Sequence, residues 1–285
     1  MRVKYFYDKA SSTFSYVIID SDTSICAIID PVLEYNQYTG KYGNVNADKI
    51  IKFIKKNNLK CTWVLETHIH ADHFTAAGYL KSKLNIKVGI GEGVKSILNY
   101  WADIFNINNE VQHEGKHFDK LFFDNEIIKI GNLNITVIKT PGHTPSCVSY
   151  YVKDRIFVGD TLFMPNIGTA RADFPGGSSS ILYKSIKKIL SLPPKTKIYT
   201  CHDYPKVFGN QKCMSTVGIQ NEKNIMINKN ISLSEFVKLR NKRDSEIEPP
   251  NLIYPSIQVN IRNGDLGKQE SNGVKYIKIP IQNYR

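Results

Sequence analysis

Thr67-His68-Ile69-His70-Ala71-Asp72-His73 places three imidazoles and a carboxylate within six positions, directly behind the apolar, β-prone run Thr62-Trp63-Val64-Leu65. With seven histidines in 285 residues, an H-x-H-x-D-H pattern arises by chance in roughly one chain of several thousand. A polar loop of merely hydrogen-bonded histidines is therefore the weaker reading. Histidines two apart in an extended segment can face the same way, and imidazole with carboxylate suits borderline metal ions.

Three further polar residues repeat the placement. His143 lies in Thr140-Pro141-Gly142-His143-Thr144, a turn ending the strand-like run Ile135-Thr136-Val137-Ile138. Asp160 lies in Val158-Gly159-Asp160-Thr161, after the strand-like Arg155-Ile156-Phe157. His202 follows Lys197-Ile198-Tyr199-Thr200-Cys201 and precedes Asp203-Tyr204. Loops just past the ends of neighbouring strands can converge on one point, so these side chains read as one metal centre. His113 and His117 are left over and are expected as exposed loop residues without a role.

Composition permits a large core and narrows the setting. A length of 285 residues with 41% apolar side chains suits one large domain, or one domain with an appendage. The amino terminus lacks an apolar run of the signal-peptide type, and no stretch is apolar enough to span a bilayer. Five cysteines without C-x-x-C pairs are expected as reduced thiols in a cytoplasmic protein. Cys147 and Cys201, beside motif histidines, are expected to be buried and inert rather than redox-sensitive. The net charge of +12 does not imply nucleic acid, because the lysines are dispersed with no dense block or interleaved aromatics. A local basic pocket for an anionic substrate fits it better.

The expected elements alternate between sheet and helix. Phe14–Ile19 and Ile25–Ile29 form a hairpin around Asp20-Ser21-Asp22, and Ile127–Leu133 begins another with a Gly-Asn turn. Asn46 is expected to cap a helix burying Ile50, Ile51, Phe53 and Ile54 and ending near Asn57. A second helix should begin just after His73, bearing Ala76, Ala77 and Leu80, with its amino-terminal dipole facing the motif. Residues 178–190 form an amphipathic helix with Ile181, Leu182, Ile186 and Ile189 inward, stopped by Pro193-Pro194. Ser232-Leu233-Ser234-Glu235 is a capping box. After Glu248-Pro249-Pro250, the alternating Ile257, Val259 and Ile261 read as a strand, as does the tail from Val274 to Pro280. The expected organisation is a main domain over residues 1–230 and an extension over 231–285, packed on it without a core of its own.

H-x-H-x-D-H, the P-G-H-T turn, the G-D-T aspartate and the late histidine together resemble the metallo-β-lactamase superfamily, over most of the chain from Ile28-Ile29-Asp30-Pro31-Val32 to His202. That resemblance implies an αββα sandwich, two sheets face to face with helices outside and metal at the sheet edge. It fills seven ligand positions: His68, His70, Asp72, His73, His143, Asp160 and His202. Such a set can hold two zinc ions for hydrolysis of a thioester or phosphodiester. It can equally hold one iron on His68, His143 and Asp160, a two-histidine, one-carboxylate triad.

Gly159–Pro165, Ile167-Gly168-Thr169-Ala170-Arg171-Ala172-Asp173-Phe174, Pro175-Gly176-Gly177 and Cys201-His202-Asp203-Tyr204 resemble more closely the persulfide dioxygenase branch of that superfamily. The resemblance implies one iron(II) per chain, glutathione persulfide and dioxygen as substrates, and sulfite and glutathione as products. His70, Asp72, His73 and His202 would then support the iron site or form a second metal site. Arg171 and Asp173 would shape the substrate side, Tyr204 would contact substrate, and Asp72 or Tyr204 would assist proton movement. No nucleic-acid or membrane partner is expected, and a homo-oligomer is compatible with the sequence. Two other functions stay open: a dizinc thioester hydrolase of the glyoxalase II type, and a non-catalytic sulfide- or redox-sensing protein acting through Cys147 or Cys201.

Overall fold

A computed structural model of the chain describes residues 1–204 and 209–281; the last four residues of the expected extension lie outside them. Among the described residues, two six-stranded sheets dominate. The first runs in the order Arg2–Asp8, Thr13–Ile19, Ile25–Ile29, Lys60–Leu65, Lys87–Gly91, Lys120–Phe122, and the second from Ile127–Ile130 through Leu133–Lys139, Val148–Val152, Arg155–Phe157 and Lys197–Tyr199 to Met214–Thr216.

Burial along one strand explains the layering. All seven residues of Thr13–Ile19 are buried, which a strand achieves only when both faces are covered. Phe14, Tyr16 and Ile18 join Ile135, Val137, Tyr150 and Phe157 of the second sheet in the central core. Val17 and Ile19 point the other way, onto Ile50, Leu80, Leu98 and Val259 of the outer helices. Beyond the second sheet, Ile156 and Ile198 meet Leu182, Ile186 and Phe236 of further helices. Helix, sheet, sheet, helix is the αββα sandwich that was expected.

Several local expectations need correction. The helix Val45–Lys56 is capped at Asn44, whereas Asn46 lies inside it and is buried; Asn46 N–H donates to Glu34 (2.7 Å) and its amide to Asp8 (2.7 Å). After His73 the chain first pairs Phe74–Thr75 with Val32–Leu33, so the helix starts only at Ala77. Ile181 in the helix Ser179–Leu190 is exposed rather than inward. His113 and His117 are half-buried. The ring of His113 is held between Asn99 and Asn108, and burial pushes His117 down to about 4.

The region past residue 231 differs most from expectation. The capping box holds, opening the helix Leu233–Asp244. Ile257, Val259 and Ile261 belong to the helix Ile253–Asn260 and its cap, not to a strand. Every residue from Pro255 to Asn260 is buried, including Ser256, Gln258 and Asn260, so the apolar alternation marked total burial and not the two faces of a strand. Pro255 is tolerated because it falls in the first turn, where no intrahelical partner is lost. The tail 274–280 forms no strand: one bridge joins Gln269 to Lys275, and the Lys278 main chain pairs with the Gln258 side chain.

Candidate metal centre

The motif loop is sewn to both sheets where it leaves Lys60–Leu65. Glu66 N–H donates to the Gly89 carbonyl (2.9 Å), the Tyr150 hydroxyl donates to the Glu66 carbonyl (2.7 Å), and Val148 N–H donates to the Thr67 carbonyl (2.9 Å). Asp160 enters on the short turn Gly159–Thr161 after Arg155–Phe157. Gly159 has φ +52°, and a Cβ there would lie 2.4 Å from the Thr67 hydroxyl, so only glycine lets this turn press against the histidine loop. His202 follows Lys197–Tyr199 and is bridged to Thr13 of the first sheet. All the ligand positions named from the sequence thus gather at the carboxyl ends of strands, across the seam between the sheets.

Among the described residues, four overlapping groups of donors result, two of them drawing in the Cys201 thiol, with Asp30 and His70 or with Asp160 and His202; the other two comprise the expected ligand positions. His68, His143 and Asp160 bring one ligand atom each within 4.8 Å of one another, and His70, Asp72, His73 and His202 form a second such group. In the first, Asp160 Oδ2 lies 3.8 Å from the Nε2 atoms of both His68 and His143. Asp160 also faces the second group, with Oδ1 3.3 Å from His202 Nε2.

Hydrogen bonds on the far side of each ring define its tautomer. His143 Nδ1 lies 2.8 Å from the Arg171 carbonyl, which can only accept, so the ring proton is there and the Nε2 lone pair faces Asp160. The Thr67 hydroxyl donates to Asp30 (2.8 Å) and lies 3.0 Å from His68 Nδ1. With its one proton committed, it accepts from His68 and leaves that Nε2 free as well. Burial holds His68 well below the ordinary histidine range, and holds His143 below it too. Neutral, oriented imidazoles are what a metal ion requires.

The second group is tied internally to carboxylates. Asp72 spans His73 Nδ1 (3.2 Å) and His202 Nε2 (3.3 Å). Burial pushes the Asp72 carboxyl up, but the two rings outweigh it and hold it far below the usual range. His70 turns Nε2 to Asp30 (3.2 Å) and Glu66 (3.6 Å); these carboxylates raise its proton affinity against the opposing effect of burial. His202 is raised in the same way by Asp160 and Asp72.

The chemistry of this pocket fits a cation. His70 Nδ1 and Nε2, Asp72 Oδ2, His73 Nε2 and His202 Nε2 of the second group, and Asp160 Oδ1 of the first, are buried without an aligned hydrogen-bond partner. Leaving one such polar atom unsatisfied costs about 1–3 kcal/mol, and six crowded together fit a site that takes up a cation beside the second group, with Asp160 facing both groups.

A cavity of about 210 Å³ opens beside the first group, lined by His143, Asp160, Phe163, Phe174, Arg171 and Tyr204 among others. Arg171 lies on its wall, but its guanidinium is already committed. It forms a two-pronged pair with Asp173 (2.6 and 2.7 Å) and donates to the Glu248 carbonyl (2.8 Å). Asp173 faces Arg171 and is not among the lining residues. Tyr204 is half exposed and its ring lies parallel to that of His202, 5.8 Å away. Burial pushes the Cys147 thiol up to about 12 and raises Cys201 strongly, which keeps both protonated and unreactive.

Several residues that hold the site escaped the sequence reading. Asp30 anchors both Thr67 and His70. Arg240 is fully buried, paired with Asp244 (2.7 Å), and donates to the Thr169 carbonyl (3.0 Å). Asp244 accepts from Ala172 N–H (3.0 Å), so this pair grips the segment whose Arg171 carbonyl orients His143. Opposite charges four apart in Leu233–Asp244 were the available signal, although such pairs usually mark a solvated face.

The sequence model of the metallo-β-lactamase superfamily matches residues 9–202. The chain belongs to the metallo-β-lactamase superfamily. Relatives of this superfamily member carry several kinds of name, among them glyoxylase, metallo-hydrolase, β-lactamase hydrolase-like protein and persulfide dioxygenase. Glyoxylase B2 of Dictyostelium discoideum is 48% identical over 98% of this chain and 97% of its own. The mitochondrial persulfide dioxygenase ETHE1 of Homo sapiens is 29% identical over 92% of this chain and 88% of its own. Among solved structures, ETHE1 from Myxococcus xanthus superposes with a TM-score of 0.75 at 27% identity, over 93% of this chain and all of that one. No helix of the described residues is long and apolar enough to cross a membrane.

Proposed function

We propose that this superfamily member is a persulfide dioxygenase, which oxidises glutathione persulfide with dioxygen at one non-haem iron(II) held by His68, His143 and Asp160. The balanced reaction is persulfide plus O₂ plus water giving glutathione, sulfite and two protons; the outer sulfur loses the four electrons that O₂ gains. The observation that carries this reading is the grouping of two neutral, oriented imidazoles with one carboxylate, apart from His70. That is the donor set of mononuclear iron oxygenases, with positions left open for substrates. Such an iron would bring the persulfide and dioxygen together and turn their encounter into an intramolecular step.

The protein's own groups would do the rest. The Arg171 carbonyl and Thr67 hydroxyl keep the two rings aimed. The cavity wall of Phe163, Phe174 and Tyr204 would shield the reacting sulfur from bulk water, with Arg171 shaping the substrate side and Asp173 bracing it from outside the lining. Asp72, between His73 and His202, or Tyr204, stacked on His202, would assist proton movement. In this reading residues 1–230 are the catalytic body, and residues 231–285 are an extension that braces it in a cytoplasmic enzyme.

A second reading has its own support. The additional donors His70, Asp72, His73 and His202, and the similarity to a protein named glyoxylase, favour a dizinc thioester hydrolase. Oxygen uptake separates the two. The expected result is consumption of about one O₂ per glutathione persulfide with sulfite formed, and no turnover of glutathione thioesters; thioester hydrolysis without oxygen uptake would reverse the choice.

A further inference from the structure

Asn260 stands at the end of the helix Ile253–Asn260, 190 residues beyond His70. Its side chain is buried and every polar function of it is used on one short stretch of backbone. The amide nitrogen donates to the carbonyls of His70 and His73, each at 2.8 Å. The amide oxygen accepts from Thr75 N–H at 2.8 Å. These three bonds bracket the turn from which His70, Asp72 and His73 project.

The requirement for asparagine is specific. Two donors and one acceptor on a short stem are needed at once. Aspartate keeps the size but turns both donors into acceptors facing carbonyls, and glutamine is a methylene too long for a packed site. The helix is also seated by direct backbone contact, since a Cβ on Gly78, just after the motif, would lie 2.5 Å from the Asn263 carbonyl. Gln258, two residues earlier, is equally buried but bonds only to Tyr254 and Lys278.

We propose that Asn260 is a positioning residue for the metal centre: it fixes the backbone of the H-x-H-x-D-H turn and so sets the aim of the ligands on it. The inference rests on the reading of this cluster as a metal site, and assigns to the carboxy-terminal helix a task at the opposite end of the sequence. Cobalt(II) is the probe, read by its visible absorption and by titration of the metal-stripped full chain.

Asn260→Asp is expected to bind cobalt about 10- to 100-fold more weakly, the usual cost of losing a group that orients a ligand, with an altered visible spectrum. Gln258→Ala is expected to keep the affinity and spectrum of the unaltered protein. Because coupling is reciprocal, cobalt binding to the unaltered protein should slow backbone hydrogen exchange in residues 253–260 as well as in 68–75. That measurement decides the matter even if Asn260→Asp does not fold. Unchanged cobalt affinity in Asn260→Asp, equal weakening in Gln258→Ala, or unchanged exchange in 253–260 would each overturn the inference alone. An unaltered chain that takes up no cobalt would instead remove the metal reading beneath it.

Discussion

The two donor groups at the seam of the sandwich differ in what already satisfies them. His68 and His143 have partners only on their far nitrogens, and burial keeps them neutral. Their near nitrogens converge on Asp160 at 3.8 Å without a hydrogen bond between them. In the other group, His70, His202 and Asp72 are bound into ring–carboxylate pairs, the rings raised in proton affinity and Asp72 lowered. The first group offers two free imidazole nitrogens and a carboxylate to an added cation, while His70, Asp72, His73 and His202 still hold buried atoms without an aligned partner, so the second group has donors for an ion of its own. Chemically similar residues acquire different tasks from the groups behind them.

Removing one member of each group tests that contrast, and the first should give the largest effect. Asp160→Ala takes away the only carboxylate of the first group and is expected to weaken iron retention by more than about 100-fold, beyond the loss typical of a supporting residue. Oxygen consumption should disappear with it; iron content at the unaltered level with full activity would dissolve the triad. On the proposed single-iron reading, His202→Ala should weaken iron binding by only about 10-fold, with the stoichiometry still one metal per chain. A fall from two metals to one, followed by elemental analysis, would show instead that the second group holds an ion of its own.

The smallest effect lies away from both groups and supplies a control on stability. His117 is held neutral by burial, with a folded value of about 4 against 6.5 when free. The unfolded chain therefore binds more protons in this window, and the stability that neutral His117 permits is present above pH 6.5 and lost as the pH falls towards 4. Urea midpoints should decline over that range in the parent and decline less in His117→Gln. Identical slopes would mean that the ring is free to protonate in the folded protein.

What the sequence made legible follows from how local the information is. The ligands His68, His143, Asp160 and His202 could be read because each follows a strand-like run, and the strand ends bring them to one place. The glycine before Asp160 and the threonine before His68 sit beside those ligands and carried usable signals. Asn260, Arg240 and Asp30 could not be read in the same way. The groups they hold at the site lie 190, 71 and 37 positions away, and only Arg240 has a nearby signal, Asp244 four residues on, of a kind that usually marks a solvated face. The helix Ile253–Asn260 was mistaken for a strand because burial on every side erases the difference between the two periodicities. Asn46 lies two residues past the cap Asn44, and its amide serves Asp8 instead of its own helix.

Metal content of native protein purified without air tests the central claim most directly. A single non-haem centre on His68, His143 and Asp160 predicts about one iron(II) per chain and little zinc. Two zinc ions per chain at full occupancy would contradict it and make the carboxylate-bound histidines ligands in their own right.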